Sequence, residues 1–229
     1  MQSEASFREI AGFPNAIAAV DGCHIPISAP ANDAVYYVNR KNFHSLLLQA
    51  ICDSKRRFID VFAGVCGSVH DARVWEMSDI KMAIEEDQDR FCPQQTHIVG
   101  DSAYGLSETL MTPFRDNGHL TRTEKNYNIA HSRTRVVIER SFALLKGRFR
   151  RLKYLYLQNV IYGPLIIVAC CVLHNICLDF DDEMNAEILE EVDDLVDDDA
   201  VKLNGENKQN VAVSVVDKRN NIAELLMRL

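Results

Sequence analysis

The sequence predicts one α/β domain. Short apolar runs of strand length dominate the first part of the chain, and stretches with helical spacing dominate its middle. With 229 residues, of which 47% are apolar, the chain can fill one core and carry an appendage, but two domains of ordinary size would be crowded. We therefore expect one sheet with helices packed on it.

The predicted strands begin with residues 17–27, an apolar run that contains a single charge, Asp21. Residues 45–52 and 57–64 are two further apolar runs, and the short polar turn between them predicts a hairpin meander. A fourth run, 96–100, ends in an acid, Asp101, and a turn. Asp101 therefore lies at a strand tip, where functional sites often gather.

A first helix is predicted over residues 72–86, which contain the lone tryptophan. Ser68 or Asp71 precedes this stretch and could cap it. We expect capping rather than metal binding to be the role of Asp71, which is only a secondary candidate ligand.

Two later helices are predicted from different patterns. Between residues 132 and 152, apolar side chains alternate at steps of four and three, which indicates an amphipathic helix with Glu139 beside its buried stripe. The apolar run that begins at 165 predicts a helix against the sheet, in which His174 and Asn175 make buried hydrogen bonds.

Cysteine usage and hydropathy narrow the class of protein. Seven cysteines without a C-x-x-C pair argue against a disulfide framework and a structural zinc site, so we expect a reducing compartment. The chain opens without a charged-then-apolar leader, and its longest apolar run, 165–173, is shorter than the roughly 20 residues of a membrane span. We expect a soluble protein without a membrane partner.

Negative charge is concentrated near the end of the chain. Residues 179–199 contain twelve acids and no base, whereas residues 1–178 carry 18 acids and 20 bases, a net charge of about +2. The predicted organisation is a catalytic-type domain at 1–178, an acidic flexible linker at 179–209 and an amphipathic segment at 210–229. Whether the last segment docks on the core or on a partner stays open.

Asp21, Asp101 and Glu139 are the candidate functional acids. Two strand carboxylates and one helix carboxylate form an oxygen-only ligand set of the kind that Mg²⁺ or Mn²⁺ accepts. Two such ions could activate a water and stabilise the leaving oxygen of a phosphodiester. Taken singly, an Asp at a strand end is more often a turn residue, and a Glu one turn after Arg135 is more often half of a solvated ion pair.

Positive charge surrounds the third acid. A basic stripe between residues 133 and 153 could hold a phosphate backbone, although a solvated helix face is the simpler interpretation of this stripe alone. The predicted nucleic-acid contacts are Arg135, Arg140, Lys146, Arg148, Arg150 and Arg151, together with Arg40 and Lys41 from an earlier segment.

Six ordered strings resemble the catalytic domain of PIF/Harbinger-type DDE transposases and the nucleases derived from them. These strings lie at 12–27, 37–45, 67–73, 100–104, 137–142 and 172–175. The resemblance covers residues 12–178 and implies an RNase H-like fold, a mixed sheet flanked by helices. It also implies that Asp21, Asp101 and Glu139 are the Asp-Asp-Glu triad.

The resemblance further implies a metal-dependent DNA endonuclease that uses two Mg²⁺ or Mn²⁺ ions, with strand transfer as a possible second step. The expected partners are DNA and a separate Myb/SANT-like DNA-binding protein. A homo-oligomer is also possible. The expected locations are the nucleus and the cytoplasm.

Two alternatives stay open. One is a domesticated or truncated relative that binds DNA or protein without cutting. The other is an interaction protein that acts through its last helix.

Overall fold

The computed structural model describes residues 2–180 and 212–228. Its strands are β1 (Ala16–Pro26), β2 (Ser45–Cys52), β3 (Phe58–Cys66), β4 (His97–Gly100) and β5 (Leu110–Met111). They form one sheet in the order β3-β2-β1-β4-β5. The first three strands are an antiparallel meander, as predicted, and β4 and β5 run parallel to β1. The sheet is therefore mixed.

Helices cover both faces of the sheet. The helices are α1 (Gln2–Ala11), α2 (Asp71–Met77), α3 (Asp79–Glu86), α4 (Gln88–Phe91), α5 (Arg122–Arg148), α6 (Gly163–Asp179) and α7 (Val213–Leu226). Side chains of α1, α5, α6 and α7 fill the larger core on one face. Trp75 and Ile84, from α2 and α3, fill the smaller core on the other face. The predicted α/β class is confirmed.

The helix predicted over 72–86 is two helices. Ser78 ends α2 and begins α3: its hydroxyl donates to Trp75 O at 2.7 Å and accepts from Lys81 N at 3.4 Å. A serine that satisfies backbone groups on both sides of a break favours two short helices over one long one.

The helix that carries Glu139 begins ten residues earlier than its apolar pattern indicates. Thr121 caps α5, because its side chain accepts from Glu124 N while the Glu124 carboxylate accepts from Thr121 N. This capping box satisfies backbone donors at the start of the helix reciprocally. α5 therefore spans 27 residues and reaches from the β5 side of the sheet to the end of β1.

α6 packs against β3, as predicted for the 165–177 run. The Asn175 amide accepts from Phe58 N at 2.9 Å and donates to Phe58 O at 2.8 Å, and His174 bonds to Arg56 O at 3.0 Å. These bonds confirm the predicted polar roles of both residues. By length and composition, Val160–Asp179 could also cross a membrane, with a mean hydropathy of 2.1. A core helix has the same composition, and one face of α6 lies in the core.

The C-terminal segment docks on the core. The sequence left open whether it would pack on the core or on a partner. Ile222 and Leu226 of α7 are buried in the larger core, in contact with α5. Lys218 Nζ donates to Glu108 O at 2.5 Å, and the Arg219 guanidinium lies 4.1 Å from the centre of the Phe114 ring. The predicted acidic linker lies almost wholly in residues 181–211, outside the described part of the chain.

Candidate active site

Two of the predicted acids lie side by side on neighbouring strands. Asp21 is in the middle of β1, and Val20 is level with Gly100 in the parallel β1–β4 pair. Asp101, the next residue after β4, therefore comes alongside Asp21. The Asp101 Oδ1 atom accepts from Ala103 N at 2.7 Å, so the chain turns sharply there, and Asp101 lies at a strand tip as predicted.

The long helix α5 brings the third acid to the same place. Arg135, Glu139 and Lys146 share one face of α5, because offsets of 4 and 11 residues are close to whole helical turns. Arg135 Nη1 donates to Asp21 Oδ2 at 3.0 Å, and Arg135 Nη2 pairs with Glu139 Oε1. The guanidinium thus lies between the first and third acids.

Burial dominates the electrostatics of Asp21. Loss of hydration raises the pKa of its carboxyl to about 7, although the charge of Arg135 acts in the opposite direction. The negative charges of Asp101 and Glu139 contribute to this increase. The three acids are therefore one electrostatic cluster, in which a nearby cation favours ionised Asp21.

Asp71 does not cap a helix, so that prediction is wrong. The cap of α2 is His70, without a side-chain hydrogen bond, and Asp71 is the first helical residue. Its carboxylate instead lies on the backbone of Gly22: a Cβ atom added to Gly22 would be 2.3 Å from Asp71 Oδ1. Burial and the charge of Asp101 raise the pKa of Asp71 to about 6, against the opposing charge of Arg40.

Several predicted basic contacts gather near the acids. Lys146 Nζ donates to His24 O at 3.0 Å, three residues beyond Asp21. Burial and the charges of Arg40, Lys146 and Lys41 lower the pKa of His24 to about 4. Cations from two distant segments therefore surround the end of β1.

The remaining predicted basic contacts differ in position. Arg148 donates to His174 Nδ1 at 2.8 Å, so this guanidinium faces α6 rather than an open surface. Arg150 and Arg151 are exposed on the turn after α5, and Arg140 is partly exposed beside Glu139. The structure thus brings Arg135 to Asp21 and Glu139 and Lys146 to the end of β1, gives Arg148 a partner on α6, and leaves Arg150 and Arg151 at the surface.

The acids can supply the ligands of a divalent ion, but their present spacing is too wide. Within residues 2–180 and 212–228, no three His, Cys, Asp or Glu side chains are close enough to hold a metal. Arg135 accounts for part of this spacing, because its guanidinium holds Asp21 and Glu139 on either side of itself. The carboxylates offer only oxygen ligands and already pair with one cationic group, the Arg135 guanidinium, so their chemistry suits Mg²⁺ or Mn²⁺.

Sequence reasoning missed two contributors to this site. Gly22 leaves the space that the Asp71 carboxylate occupies. Tyr104 is buried, and its hydroxyl has no partner among the residues that the structure describes; burial, together with the charges of Asp21, Asp71 and Asp101, raises its pKa well above the usual value. Gly22 follows Asp21 by one position and Tyr104 follows Asp101 by three, and this closeness to the predicted acids was the signal that could have identified them.

Two acids at adjacent strand positions and a third on a long helix across one face of a mixed sheet are the arrangement of a DDE-type nuclease domain. Comparison with known proteins agrees: the profile of the DDE superfamily endonucleases matches residues 20–175. The chain belongs to this family, and its fold is the RNase H-like fold that the resemblance implies.

Curated relatives place the chain near Harbinger-derived proteins. It is 37% identical over 178 residues to the Bos taurus protein named "Putative nuclease HARBI1", covering 76% of this chain and 49% of that protein. It is 32% identical over 194 residues to the Arabidopsis thaliana "Protein ALP1-like", covering 79% of this chain and 47% of that protein. The chain thus spans about half the length of the curated relatives it matches. No solved structure matches the chain.

Proposed function

We propose that this protein is a divalent-metal-dependent DNA endonuclease of the Harbinger transposase type. The observation that carries the proposal is that Asp21, Asp101 and Glu139 gather beside the middle of β1, although they are far apart in sequence. Asp21 is largely buried, and an acid in that position is costly unless a cation neutralises it. The chain belongs to a family of endonucleases, which supports the same chemistry.

The side chains have separate proposed tasks. Asp21, Asp101 and Glu139 give the site its negative charge. They supply the oxygen ligands of one or two Mg²⁺ or Mn²⁺ ions. When bound, such ions lower the pKa of a water nucleophile and stabilise the leaving oxygen of the phosphodiester. Arg135 holds Asp21 and Glu139 in place before metal and DNA arrive.

The cations around the acids would bind the DNA backbone. Lys146, Arg40 and Lys41 lie near His24 at the end of β1, and Arg150 and Arg151 are exposed on the turn that follows α5. Phosphate contacts of this kind fix the position of a duplex without reading its sequence. A separate Myb/SANT-like protein would then supply sequence recognition, and the site of action would be the nucleus.

A second candidate function is DNA or protein binding without cleavage. The ion pairs of Arg135 with Asp21 and Glu139 favour it, because a guanidinium can satisfy these acids in the absence of a metal. The two candidates differ in one respect: only the nuclease loses a measurable reaction when single acids are neutralised.

Plasmid nicking tests the proposal directly. Supercoiled DNA is incubated with the purified chain and Mg²⁺ or Mn²⁺, and Asp21→Asn, Asp101→Asn and Glu139→Gln are compared with Asp60→Asn. Asp60 is the matched control, a partly buried carboxylate on β3 whose charged neighbour is Asp79 rather than the site acids. We expect metal-dependent nicking by the unchanged chain and by Asp60→Asn only. Absence of nicking with a Myb-like partner present would favour the binding function.

A further inference from the structure

The carboxylate of Asp71 occupies a polar position on the opposite face of β1 from Glu139. Asp21 faces α5, and alternation along the strand turns Gly22 to the face that α2 covers. Asp71 Oδ1 would lie 2.3 Å from a Cβ atom on Gly22, so the carboxylate rests directly on the strand backbone. Among the described residues, no hydrogen bond or ion pair holds the Asp71 carboxylate, although it is more than half buried in a protein interior.

Two buried polar side chains near this carboxylate also have no partner in the described part of the chain. Gln49 is 1% exposed and both polar atoms of its amide are unpaired; Tyr104 is 2% exposed and its hydroxyl is unpaired. Such groups are rare in native proteins unless a water or an ion completes them.

The sheet register places all three groups on the same face. Gln49 is directly opposite Gly22 in the antiparallel β1–β2 pair, so its side chain points to the side on which Asp71 lies. The Tyr104 ring is 3.3 Å from a Cβ atom built on Gly100 and packs edge-on against Trp75 of α2. The hydroxyl of Tyr104 also lies within the field of Asp71 and Asp101.

Asp101 connects this face with the predicted triad. Its negative charge acts on Asp21 from one side and on Asp71 from the other, and it is the strongest acidic influence on both. Arg135, in contrast, interacts with Asp21 and Glu139 and has no ion pair with Asp71. The charge of Arg40 also acts on Asp71, but among the described residues no guanidinium forms an ion pair with the Asp71 carboxylate.

We propose that Asp71 and Asp101 together bind a hard divalent cation, Mg²⁺ or Mn²⁺, on the α2 face of β1. The Tyr104 hydroxyl and the Gln49 amide are the polar groups available to the water shell of that cation. Hard cations of this kind take carboxylate and amide oxygens and keep several waters. This inference rests on the proposed metal-dependent function and adds a fourth carboxylate, Asp71, to the triad.

Direct Mn²⁺ binding tests the assignment without relying on catalysis. The full chain is titrated with Mn²⁺ by calorimetry, and bound Mn²⁺ is counted by electron paramagnetic resonance. Asp71→Asn, Tyr104→Phe and Gly22→Ala are compared with the Asp60→Asn control, and circular dichroism checks that each variant is folded. Gly22→Ala keeps the Asp71 carboxylate but places a methyl group where that carboxylate lies.

We expect Asp71→Asn to lower the affinity for one Mn²⁺ ion at least tenfold, or to reduce the number of bound ions by one. Gly22→Ala should have a similar effect, Tyr104→Phe a smaller one, and Asp60→Asn none. Glu139→Gln should leave the ion assigned to Asp71 in place.

Two results would overturn the inference, and they differ in scope. If Asp71→Asn binds Mn²⁺ like the unchanged chain while Asp21→Asn does not, Asp71 is no ligand and the proposed nuclease function still stands. If the unchanged chain binds no Mn²⁺ at all, the proposed metal-dependent function fails together with this inference.

Discussion

Arg135 is the residue on which the resting state of the site depends. Its guanidinium is 17% exposed, pairs with Asp21 and Glu139, and is the counter-charge of a carboxylate that is itself 17% exposed. Removing one member of a partly buried ion pair leaves the other without compensation. Arg135 therefore has a structural role as well as the DNA contact predicted for it.

Arg135→Gln should lower the free energy of unfolding by about 2 kcal/mol when metal is absent. In saturating Mn²⁺ this loss should shrink, because an ion bound by the native state then supplies the missing charge and adds its own binding free energy. Urea unfolding with and without Mn²⁺ measures both values. An equal loss under the two conditions would mean that Arg135 and the metal do not share the same carboxylates.

His174 gives the fold a dependence on acid. Arg148 donates to Nδ1, the ring donates through Nε2 to Arg56 O, and burial lowers the pKa of His174 to about 4. The unfolded chain, with an ordinary histidine pKa of about 6.5, binds the extra proton first, so stability is present above pH 6.5 and is lost as the pH falls towards 4.

We expect His174 alone to contribute about 3 kcal/mol to that loss between pH 6.5 and 4. His97 and His131, also buried with lowered pKa values, change stability in the same direction. His174→Gln should flatten the pH dependence while leaving the other two contributions. Denaturant unfolding at several pH values checks this, and a variant with an unchanged slope would contradict it.

At the level of secondary structure, the C-terminal helix α7 behaves as part of the core. Ile222 is 3% exposed within the larger core, whereas Leu225, on the same helix, is 47% exposed. Ile222→Ala should lower the free energy of unfolding by about 3 kcal/mol, because it removes buried methyl groups and leaves a cavity. Leu225→Ala is the matched control and should change stability by less than about 1 kcal/mol. Equal effects would mean that α7 is not docked as described.

Elements marked by an apolar run could be predicted from the sequence, whereas helix ends set by the hydrogen bonds of single polar side chains were missed. Apolar runs of strand length and the turns beside them predicted β1, the β2–β3 hairpin and the strand tip at Asp101. The start of α5 was missed because the capping box at Thr121 lies outside the apolar pattern, and the break at Ser78 was missed because apolar spacing continues across it.

In the candidate site, the acids could be predicted from the sequence but their long-range contacts could not. The three acids stood out because each interrupts or borders an apolar pattern, and the family resemblance joined them. The contact of Arg135 with Asp21 spans 114 positions, and that of Asp71 with Gly22 depends on the close approach of α2 to β1. Neither leaves a periodic signal, so both required the fold.

On the scale of the whole molecule, the distribution of charge decides how DNA could bind. The chain has a net charge of −8, yet residues 1–178 carry about +2, and the cations near the acids come from separate segments. A protein of this charge cannot bind DNA through its overall field, so a local patch has to provide the phosphate contacts.

The salt dependence of DNA affinity tests which cations form that patch. Arg40→Gln and Arg151→Gln should each reduce the slope of log affinity against log salt concentration by about 0.9, because each removes one phosphate contact and the counterion it releases. Arg90, on α4 beside Phe91 and on the other face of the sheet, is the matched control, and Arg90→Gln should leave the slope unchanged. Fluorescence anisotropy with a short duplex, in Ca²⁺ to prevent cleavage, measures the slopes of the unchanged chain and of the three variants. Equal slopes for all four proteins would remove Arg40 and Arg151 from the interface and place the DNA on another surface.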